Sequence, residues 1–582
     1  MNMKTPLTKA ALLAVFGLVV LSATAQTYDG FRYTTNGKAV TITGYSGGGG
    51  AVTIPGTISN LPVTSVGNSA FLRATNLTSV SIPGSVTNLG NSAFAYCTGL
   101  AAVDLPDSVI AIGQEAFANC TNLTEVTMGK GVKSIGTEAF LNCNLFSVAF
   151  PGGVAAIPDG TFWGCASLTN ITIPSSVATI GNDAFAGCAS LPGFTISDSI
   201  TSIGNYAFSG CTNLATVSLG DHLQSIGVYA FSNCLSLTAM TIPNSVTSIG
   251  GWAFLDCANL ASVTLGDHVA DLGGGAFLGT SVTNLVLPSS FTNVGPGQFQ
   301  GWTNLTSVTL LGHVTSIGQN AFADCTGLAN VTLPETVTSI GTEAFMDSGL
   351  TSITIPQGVT LLPEWAFYGC ASLTNVALPL GLTNIGAYAF SYCFGLGSIT
   401  IPNGVVSIGN DAFDGCYNLA SLALGNSVSN IGNAAFSGCG LTNVTIPGSV
   451  TFIGAYAFEQ CIQLTYLFFQ GTAPLALEGL FLYGQIPTVF YLPGTLGWDG
   501  SYAGCPALLW NPTAQSLSVA NHQLGFEIAG TPGIPLVVEA STNLAAGTWV
   551  PLQTCTLTNG LIRFTDPHGA DYPARFYRFR SP

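Results

Sequence analysis

Cysteine is the residue type in this sequence with the most obvious chemical potential, because there are 16 of them and cysteines in an exported protein often form disulfides. Fourteen, from Cys97 to Cys461, lie three residues after a recurring phenylalanine. In stacked coils such side chains point inward in parallel, about 5 Å apart, whereas a disulfide needs converging Cβ atoms about 3.8 Å apart. We therefore expect buried free thiols rather than disulfides or a tetrahedral metal site. Cys505 and Cys555 lie outside this series, and a disulfide between them stays open.

Histidine and serine offer two further candidate sites. His222, His268 and His313 occupy one turn position in alternate repeats and should lie about 10 Å apart, too far to share a metal ion. The segment Gly44-Tyr45-Ser46-Gly47-Gly48 matches the G-x-S-x-G pattern of a hydrolase elbow, which needs a helix after the serine. More glycine and a strand-like segment follow here, so we predict no nucleophile.

Carboxylates are too sparse to indicate acid–base catalysis. Glycoside hydrolysis needs two of them about 5–10 Å apart, and acids such as Glu364, Asp411 and Asp414 form no obvious pair or cleft in the sequence. We therefore predict that the protein is not an enzyme and has no catalytic residues, no cofactor and no metal site.

An alanine–phenylalanine pair, or a close variant, recurs through most of the chain, with thirteen intervals of 23 residues and four of 22. The phenylalanines are Phe71, Phe94, Phe117, Phe140, Phe162, Phe185, Phe208, Phe231, Phe254, Phe277, Phe299, Phe322, Phe345, Phe367, Phe390, Phe413, Phe436 and Phe458. A fixed period of this length is the signature of a solenoid in which each repeat forms one coil. We predict about eighteen coils, which must position the fourteen array cysteines, the three histidines and the acids named above.

The repeat from Leu77 to Gly99 shows the strand that each coil should contain. Val80 and Ile82 alternate as in a short strand, and Pro83 ends it because proline cannot donate to the ladder. Four repeats lack one residue, always at the same place, which marks an exposed turn. The gaps follow Cys143, Thr280, Ser348 and Cys439.

The second half of the repeat should form the turn that closes the coil. Gly90 is expected to turn the chain with a positive φ angle. Ala93, Phe94 and Cys97 have the spacing of a single helical or 3₁₀ turn with an inward face.

This pattern resembles the BspA-like leucine-rich repeat family, also called the Treponema pallidum type, whose hallmark is L-x-x-V-x-I-P-x-x-V-x-x-I-G-x-x-A-F-x-x-C. Leu237 to Phe254, followed by Cys257, matches it closely, and the resemblance extends over residues 61–463. It implies a right-handed leucine-rich-repeat array with short parallel strands and single helical turns. Because characterised relatives are surface or secreted proteins that bind host matrix proteins or other cells, it also implies adhesion or binding.

The segments around the array complete the expected domain organisation. Residues 26–60 and 464–512 resemble the family's N-terminal and C-terminal caps. Residues 513–582 alternate like six strands separated by turns, which predicts a small all-β sandwich. The six segments are Leu517 to Val519, Gly525 to Ile528, Leu536 to Ser541, Trp549 to Gln553, Leu561 to Thr565 and Arg575 to Phe579.

The first 25 residues have the features of a secretory signal peptide. Lys4 and Lys9 precede the apolar stretch Ala10 to Leu21, and Ala23-Thr24-Ala25 is a suitable cleavage site. We therefore expect a secreted, extracellular or cell-surface protein after cleavage. No later apolar run reaches the roughly 18–20 residues of a spanning helix, so no membrane span is predicted.

Charge limits the possible partners. The net charge is −16, and no Lys or Arg occurs between Lys133 and Arg563. A nucleic-acid backbone or an anionic lipid surface needs clustered cations, so neither is expected to bind this stretch. Four arginines near the end, from Arg563 to Arg580, are expected to lie on a solvated strand face.

One column of outward strand positions is rich in threonine, and we select six members as a candidate binding surface for an extracellular protein or glycan. They are Thr241, Thr264, Thr309, Thr332, Thr354 and Thr400. Ordinary β-propensity on a solvated face is the alternative explanation. Aromatic residues near the coil turns are possible further anchors, since such residues favour interfaces. They are Trp163, Tyr206, Tyr229, Trp252, Trp302, Trp365, Tyr388 and Tyr456. The sequence thus predicts a non-catalytic binding or adhesion scaffold, or a structural extracellular protein associated with polysaccharide; it leaves the oligomeric state open.

Overall fold

The structure, a computed structural model, describes residues 26–520, 523–572 and 574–581. The predicted signal peptide lies outside these residues. The chain divides after Ser176 into two compact units, and each contains a parallel β-solenoid. The predicted repeat-solenoid fold is confirmed.

Each coil contributes one strand to each of two ladders. The first strand of a coil belongs to the long-strand ladder, and a two-residue strand after the proline belongs to the short-strand ladder. In a typical long strand, Ala102–Asp104, the central valine is buried and its two neighbours are exposed, as the period of two requires. The inward residues of both ladders form the core.

In the first unit the N-terminal cap begins the ladders. The cap strands are Gln26–Tyr28, Phe31–Thr35, Val40–Tyr45 and Thr57–Ile58. The long-strand ladder contains Gly50–Thr53, Leu77–Ser81, Ala102–Asp104, Glu125–Thr127, Ser147–Ala149 and Asn170–Thr172. The short strands are Leu61–Val66, Asn88–Leu89, Ala111–Ile112, Ser134–Ile135 and Ala156–Ile157.

The second unit repeats this arrangement through the rest of the array and its closing cap. Its long strands are Gly193–Thr195, Thr216–Ser218, Ala239–Thr241, Ser262–Thr264, Asn284–Leu287, Ser307–Leu310, Asn330–Thr332, Ser352–Thr354, Asn375–Ala377, Ser398–Thr400, Ser421–Ala423, Asn443–Ile446, Tyr466–Phe469, Thr488–Tyr491 and Cys505–Leu509. Its short strands are Thr179–Ile180, Ser202–Ile203, Ser225–Ile226, Ser248–Ile249, Asp271–Leu272, Asn293–Val294, Ser316–Ile317, Ser339–Ile340, Leu361–Leu362, Asn384–Ile385, Ser407–Ile408, Asn430–Ile431, Phe452–Ile453 and Leu475–Ala476. Ser501–Tyr502 forms a hairpin with Cys505–Leu509.

The turn around each repeat phenylalanine is not helical, and the predicted helical or 3₁₀ turn is wrong in this detail. Ser92 and Tyr96, two residues before and two after Phe94, have φ angles of 51° and 60°. A left-handed residue on each side of the phenylalanine breaks the helical pattern. The amides of Ser92, Phe94 and Tyr96 donate to the next coil at 2.8, 2.8 and 2.7 Å, whereas that of Ala95 closes the turn on Ser92. The turn is therefore a third hydrogen-bonded ladder between coils.

The glycine before this turn is required for close stacking, not for a positive φ. Gly90 is absent from the residues with positive φ among those described, which corrects the sequence-based expectation. A Cβ at Gly90 would lie 2.6 Å from backbone atoms of Gly67 and Asn68 in the preceding coil, and one at Gly113 would lie 2.5 Å from the carbonyl carbon of Gly90. Any side chain here would push neighbouring coils apart.

The phenylalanine rings form a stacked column inside each unit. Rings of Phe94 and Phe117 lie 5.3 Å apart with nearly parallel planes, and Tyr45 of the cap closes the column at its first ring, Phe71. In the second unit the column runs one coil beyond the prediction, because Phe481 stacks on Phe458 at 6.3 Å.

One buried tryptophan interrupts the column in the second unit. Trp302 occupies the position that is cysteine in most repeats, and its ring lies 5.8 Å from Phe277 and 5.9 Å from Phe299. The side chain is 3% exposed, and its indole nitrogen has no hydrogen-bond partner among the described residues. Trp302, named above as a possible surface anchor, is thus a core residue.

The C-terminal segment forms two three-stranded antiparallel sheets, as expected for a small β-sandwich. One contains Thr513–Ala520, Gln523–Ala529 and Leu561–Asp566, and the other contains Pro535–Ser541, Val550–Thr556 and Phe576–Arg580. Two short 3₁₀ helices are Leu544–Ala546 and Gly569–Asp571. Phe468 and Phe490 of the closing cap share a buried core with Phe526 and Leu536 of these sheets.

The arginines near the C-terminus are more than a solvated face. Arg578 and Arg580 both reach the buried carboxylate of Glu539, at 2.8 and 2.5 Å, and Arg575 reaches buried Asp566 at 3.1 Å. Because a buried carboxylate needs a partner, these pairs hold the last strand, Phe576–Arg580, in place.

Candidate binding surface

The six predicted threonines all lie on the exposed face of the long-strand ladder. Each is the exposed third residue of its strand, and the residue before it is buried in five strands and half-buried in Ser262–Thr264. Strand register places Thr241 beside Thr264 and Thr309 beside Thr332. We call the residues at this third position the threonine column.

Apolar residues interrupt the threonine column. Val286, which is 50% exposed, is the register partner of Thr309. Thr354 pairs with Ala377, and Thr400 pairs with Ala423. The predicted residues therefore form one group in two successive coils (Thr241 and Thr264), one in three (Thr309, Thr332 and Thr354) and the single Thr400, rather than one continuous run.

The hydroxyl groups of the threonine column are available to a ligand. None of the six makes a side-chain hydrogen bond to another described residue, whereas threonines elsewhere in the coils donate to the backbone of the preceding coil. Thr124, for example, donates to the carbonyl of Ala101 at 3.2 Å, and Thr306 donates to that of Thr283 at 3.0 Å. A hydroxyl that is both exposed and unpaired can donate and accept hydrogen bonds.

A shallow depression adds shape to this face. It has a volume of about 470 Å³ and is lined by Thr216, Ser218, Asp221, Thr241 and Pro243 among others. Hydroxyls, methyl groups and a carboxylate are all presented there. A similar depression of about 410 Å³ lies on the long-strand face of the first unit, around Thr127 and Phe146.

The cysteine series is an internal hydrogen-bonded row. All fourteen thiols are buried. Within each unit the sulfurs lie near the carbonyl of the phenylalanine one coil earlier, as in the 3.1 Å contact from Cys165 to Phe140 and the 3.2 Å contact from Cys211 to Phe185. Burial raises the pKa of the Cys165 and Cys211 thiols to about 12. Cys505 and Cys555 are also free thiols, so the disulfide that the sequence left open is not formed.

The other chemical candidates are separated or occupied in structural roles. His222, His268 and His313 are exposed, and no group of three or more potential metal ligands occurs within the described residues. Ser46 lies in the cap, where its amide and hydroxyl both donate to the carbonyl of Gly30. A strand, Gly50–Thr53, follows it, so a nucleophile elbow is not formed.

The acids named in the sequence lie on the turn side of the coils. Burial raises the pKa of Asp411, which lies beside the phenol of Tyr388. Burial likewise raises the pKa of Asp414, although the neighbouring Ser437 side chain partly offsets that rise. Both carboxylates have partners within the fold, and the sequence did not predict these contacts.

Comparison with known proteins identifies the repeat. The family model for the BspA type leucine rich repeat region matches in overlapping segments that together extend from residue 53 to residue 489. The chain belongs to the BspA-type leucine-rich repeat family. Members of this family are repeat scaffolds that are generally non-catalytic and are typically found at the cell surface or secreted. A search of curated proteins finds no significant match.

Solved structures similar to this BspA-type protein are also leucine-rich repeat proteins. One from Bacteroides ovatus is 28% identical, covers 76% of this chain and 94% of its own, and has a TM-score of 0.36. A leucine-rich cell surface protein from Faecalibacterium prausnitzii is 26% identical over 78% of this chain and 96% of its own, with a TM-score of 0.32. The T. pallidum leucine-rich repeat protein is 23% identical over 60% of this chain and 91% of its own, with a TM-score of 0.14. Among the described residues, no helix is long and apolar enough to cross a membrane.

Proposed function

We propose that this BspA-type protein is a non-catalytic binding scaffold that is secreted or displayed at the cell surface after signal-peptide removal. The surface we assign to ligand recognition is the long-strand face, with the threonine column at its centre. The observation that carries the proposal is the set of exposed hydroxyls without internal partners on a rigid parallel ladder.

The chemistry of this face favours an uncharged or mildly polar ligand surface. Threonine presents a methyl group and a hydroxyl together, so it can bury apolar area and still exchange hydrogen bonds. Because the backbone is held in a ladder, little conformational entropy is lost when a ligand binds. The absence of Lys and Arg from residues 134–562 makes a polyanionic ligand unfavourable.

Isosteric removal of hydroxyls tests the proposal. The double variant Thr241→Val/Thr264→Val keeps the β-branched shape but removes two adjacent hydroxyls of the column. The purified protein would be screened on arrays of extracellular-matrix proteins, cell-surface proteins and glycans, and its hits measured by surface plasmon resonance. We expect the double variant to weaken binding of a hit by at least about tenfold.

Thr247→Val is the matched control, because Thr247 is exposed in a neighbouring column and donates to the backbone of Gln224. It should bind like the parent protein. A screen without any hit, or a hit indifferent to column variants at all six positions, would count against the long-strand face.

A second candidate function is a structural role in association with an extracellular polysaccharide. The uncharged hydroxyl face supports this alternative, since polysaccharide hydroxyls can exchange hydrogen bonds with threonine. Co-sedimentation with insoluble polysaccharides separates the two functions. Sedimentation that the Thr241→Val/Thr264→Val variant loses, without any protein hit on the arrays, would favour the structural role.

A further inference from the structure

A deletion in one coil opens a notch on the turn side of the second unit, away from the threonine column. The coil that starts at Phe436 has 22 residues, and only Gly440 separates Cys439 from the next strand segment. A Cβ at Gly440 would lie 2.4 Å from the carbonyl oxygen of Tyr417, so a side chain here would require the neighbouring backbone to shift. Gly438, with a φ of 66°, also lacks a side chain.

The neighbouring coils carry large side chains on both sides of this short turn. Tyr417 is 58% exposed on one side, and Ile462 and Tyr483 are 62% and 77% exposed on the other. Together with the floor of Gly438, Cys439 and Gly440, they enclose a notch of about 320 Å³. Its volume falls at the lower end of the range for small-molecule sites.

The aromatic wall of the notch is held in position by its own neighbour. The Tyr417 ring stacks on Phe394 at 5.5 Å with an angle of 5° between the planes. Its edge also lies over Gly438, where a Cβ would be 3.2 Å from Cε1 of Tyr417. A preordered ring loses little entropy when a ligand packs against it.

Two amide side chains supply the polar part of the notch. Gln460 and Gln463 line it, both are exposed, and neither side chain hydrogen-bonds to another described residue. Each amide offers two donors and one acceptor oxygen, which is the mixture that vicinal hydroxyl groups require.

The charge of this region does not favour an ionic ligand. No Lys or Arg occurs in residues 134–562, so an anionic group would lack a partner. Asp414 belongs to the neighbouring coil and is not one of the residues that line the notch. A cation would therefore find no free carboxylate among the residues that line the notch.

We propose that this notch binds a neutral hexose unit of a glycan, with the apolar face of the sugar against the tyrosines and its hydroxyls on Gln460 and Gln463. The site is separate from the threonine column and does not depend on its function. Pyranose rings combine one apolar face with a rim of hydroxyls. The notch presents aromatic side chains next to two glutamine amides that make no hydrogen bond to another described residue.

Two variants test the notch from opposite directions. Tyr417→Ala removes the wall, and the same turn position is alanine in four other coils, at Ala166, Ala189, Ala258 and Ala371. Gly438→Asn fills the floor with a residue that tolerates the left-handed conformation, and Asn119, Asn142 and Asn233 occupy this position elsewhere with positive φ. Both variants should fold, which circular dichroism and a melting curve would verify.

The probes are defined neutral oligosaccharides (cellohexaose, laminarihexaose, mannohexaose and chitohexaose), with oligogalacturonate as an acidic probe and spermine as a cationic one. Isothermal titration of the full chain should show binding of a neutral probe, weakened at least about tenfold by each variant. Leu235→Ala, at the same turn position and 41% exposed, should bind like the parent.

The proposal is overturned if no neutral oligosaccharide binds, if Tyr417→Ala and Gly438→Asn bind as well as the parent, or if only the charged probes respond to these variants. Capture of a protein that both variants abolish, without oligosaccharide binding, would assign the notch to a protein loop instead and would equally overturn the proposal. Oligosaccharide binding that Thr241→Val/Thr264→Val weakens but Tyr417→Ala and Gly438→Asn do not would assign the sugar to the threonine column and overturn the notch, so failure here and failure of the long-strand face are distinguishable.

Discussion

Substitution of one stacking glycine should weaken the array strongly although it removes no contact. Gly227 precedes the turn of its coil, and its amide donates to the carbonyl of Ile203 at 2.9 Å. In Gly227→Ala the new Cβ would lie 2.5 Å from the carbonyl carbon of Gly204 and 2.6 Å from the amide nitrogen of Asn205. Both atoms belong to backbone held in ladders, so neither can rotate away.

The expected magnitude follows from that distance. Ordinary contact begins near 3.4 Å, so the two coils must separate locally by about 0.9 Å. Overpacking of a rigid site typically costs about 1–3 kcal/mol, and lengthening of one buried ladder hydrogen bond adds about 1 kcal/mol. We therefore expect Gly227→Ala to destabilise the array by about 2–4 kcal/mol.

Urea unfolding followed by circular dichroism, with limited proteolysis, measures the effect. In a linear array a weak interface can let neighbouring repeats open separately, so we expect an earlier transition and new cleavage close to Gly227. Gly397→Ala is the matched control, because no heavy atom lies within 4 Å of its new Cβ and its φ is not positive. Equal unfolding curves for Gly227→Ala and Gly397→Ala would refute the close-stacking argument.

Three further predictions concern the core and the C-terminal sheets. The array cysteines, such as Cys165 with a pKa of about 12, should not react with iodoacetamide at pH 8 until urea is added, because the thiolate is the reactive form. Peptide mass spectrometry measures the labelling, and labelling of the native protein would contradict their burial. Trp302→Ala should lower the free energy of unfolding by about 3–5 kcal/mol because it leaves a void. Trp302→Phe should lower it less, because it also removes the unpartnered indole N–H. Equal urea midpoints for the two variants would contradict the packing role of the Trp302 ring. Burial alone would raise the pKa of Glu539, but its hydrogen bonds and charge pairs with Arg580 and Arg578 outweigh burial and lower the pKa. The stability that Glu539 contributes is therefore complete above the usual glutamate pKa of about 4.3. It is lost as the pH falls through the lower pKa of the folded state. The difference in melting temperature between the parent and Glu539→Gln should therefore shrink below about pH 4, and a difference that grows there would refute the pairing.

The sequence predicted the solenoid well because the repeat is marked by residue types that are usually buried. Phenylalanine every 22 or 23 residues has one favourable location, the inside of the coil, where rings stack at about 5.3 Å. Proline at a constant distance marks the strand end because it cannot donate to a ladder. These signals are local and repeated many times, so a single sequence contains enough of them.

The geometry of the turn could not be predicted from the sequence, because the same residue spacing fits more than one hydrogen-bonding pattern. Ala93, Phe94 and Cys97 fit a helical turn, yet every second amide of the turn, from Ser92 to Tyr96, donates to the next coil instead. Tyr96 in a left-handed conformation is unfavourable for an isolated chain, and only the neighbouring coil compensates for it.

Site prediction shows the same division between local and tertiary information. Alternation along each strand placed all six threonines of the column on the exposed face. It could not show that Val286 and Ala377 interrupt the column, which follows from register across coils. The position of the deletion after Cys439 was visible, but the notch needs Tyr417 and Tyr483 from two other coils.

By itself, then, the sequence determined the period, the inward residues and the near absence of cations from the surface, because each depends on residue type and short-range spacing. The tertiary structure alone decided which amides bond between coils, why the stacking glycines are required, and which side chains meet around the short turn. Those features depend on atoms about one coil apart, and their distances are set by the ladder spacing of about 4.8 Å rather than by any signal within a single repeat.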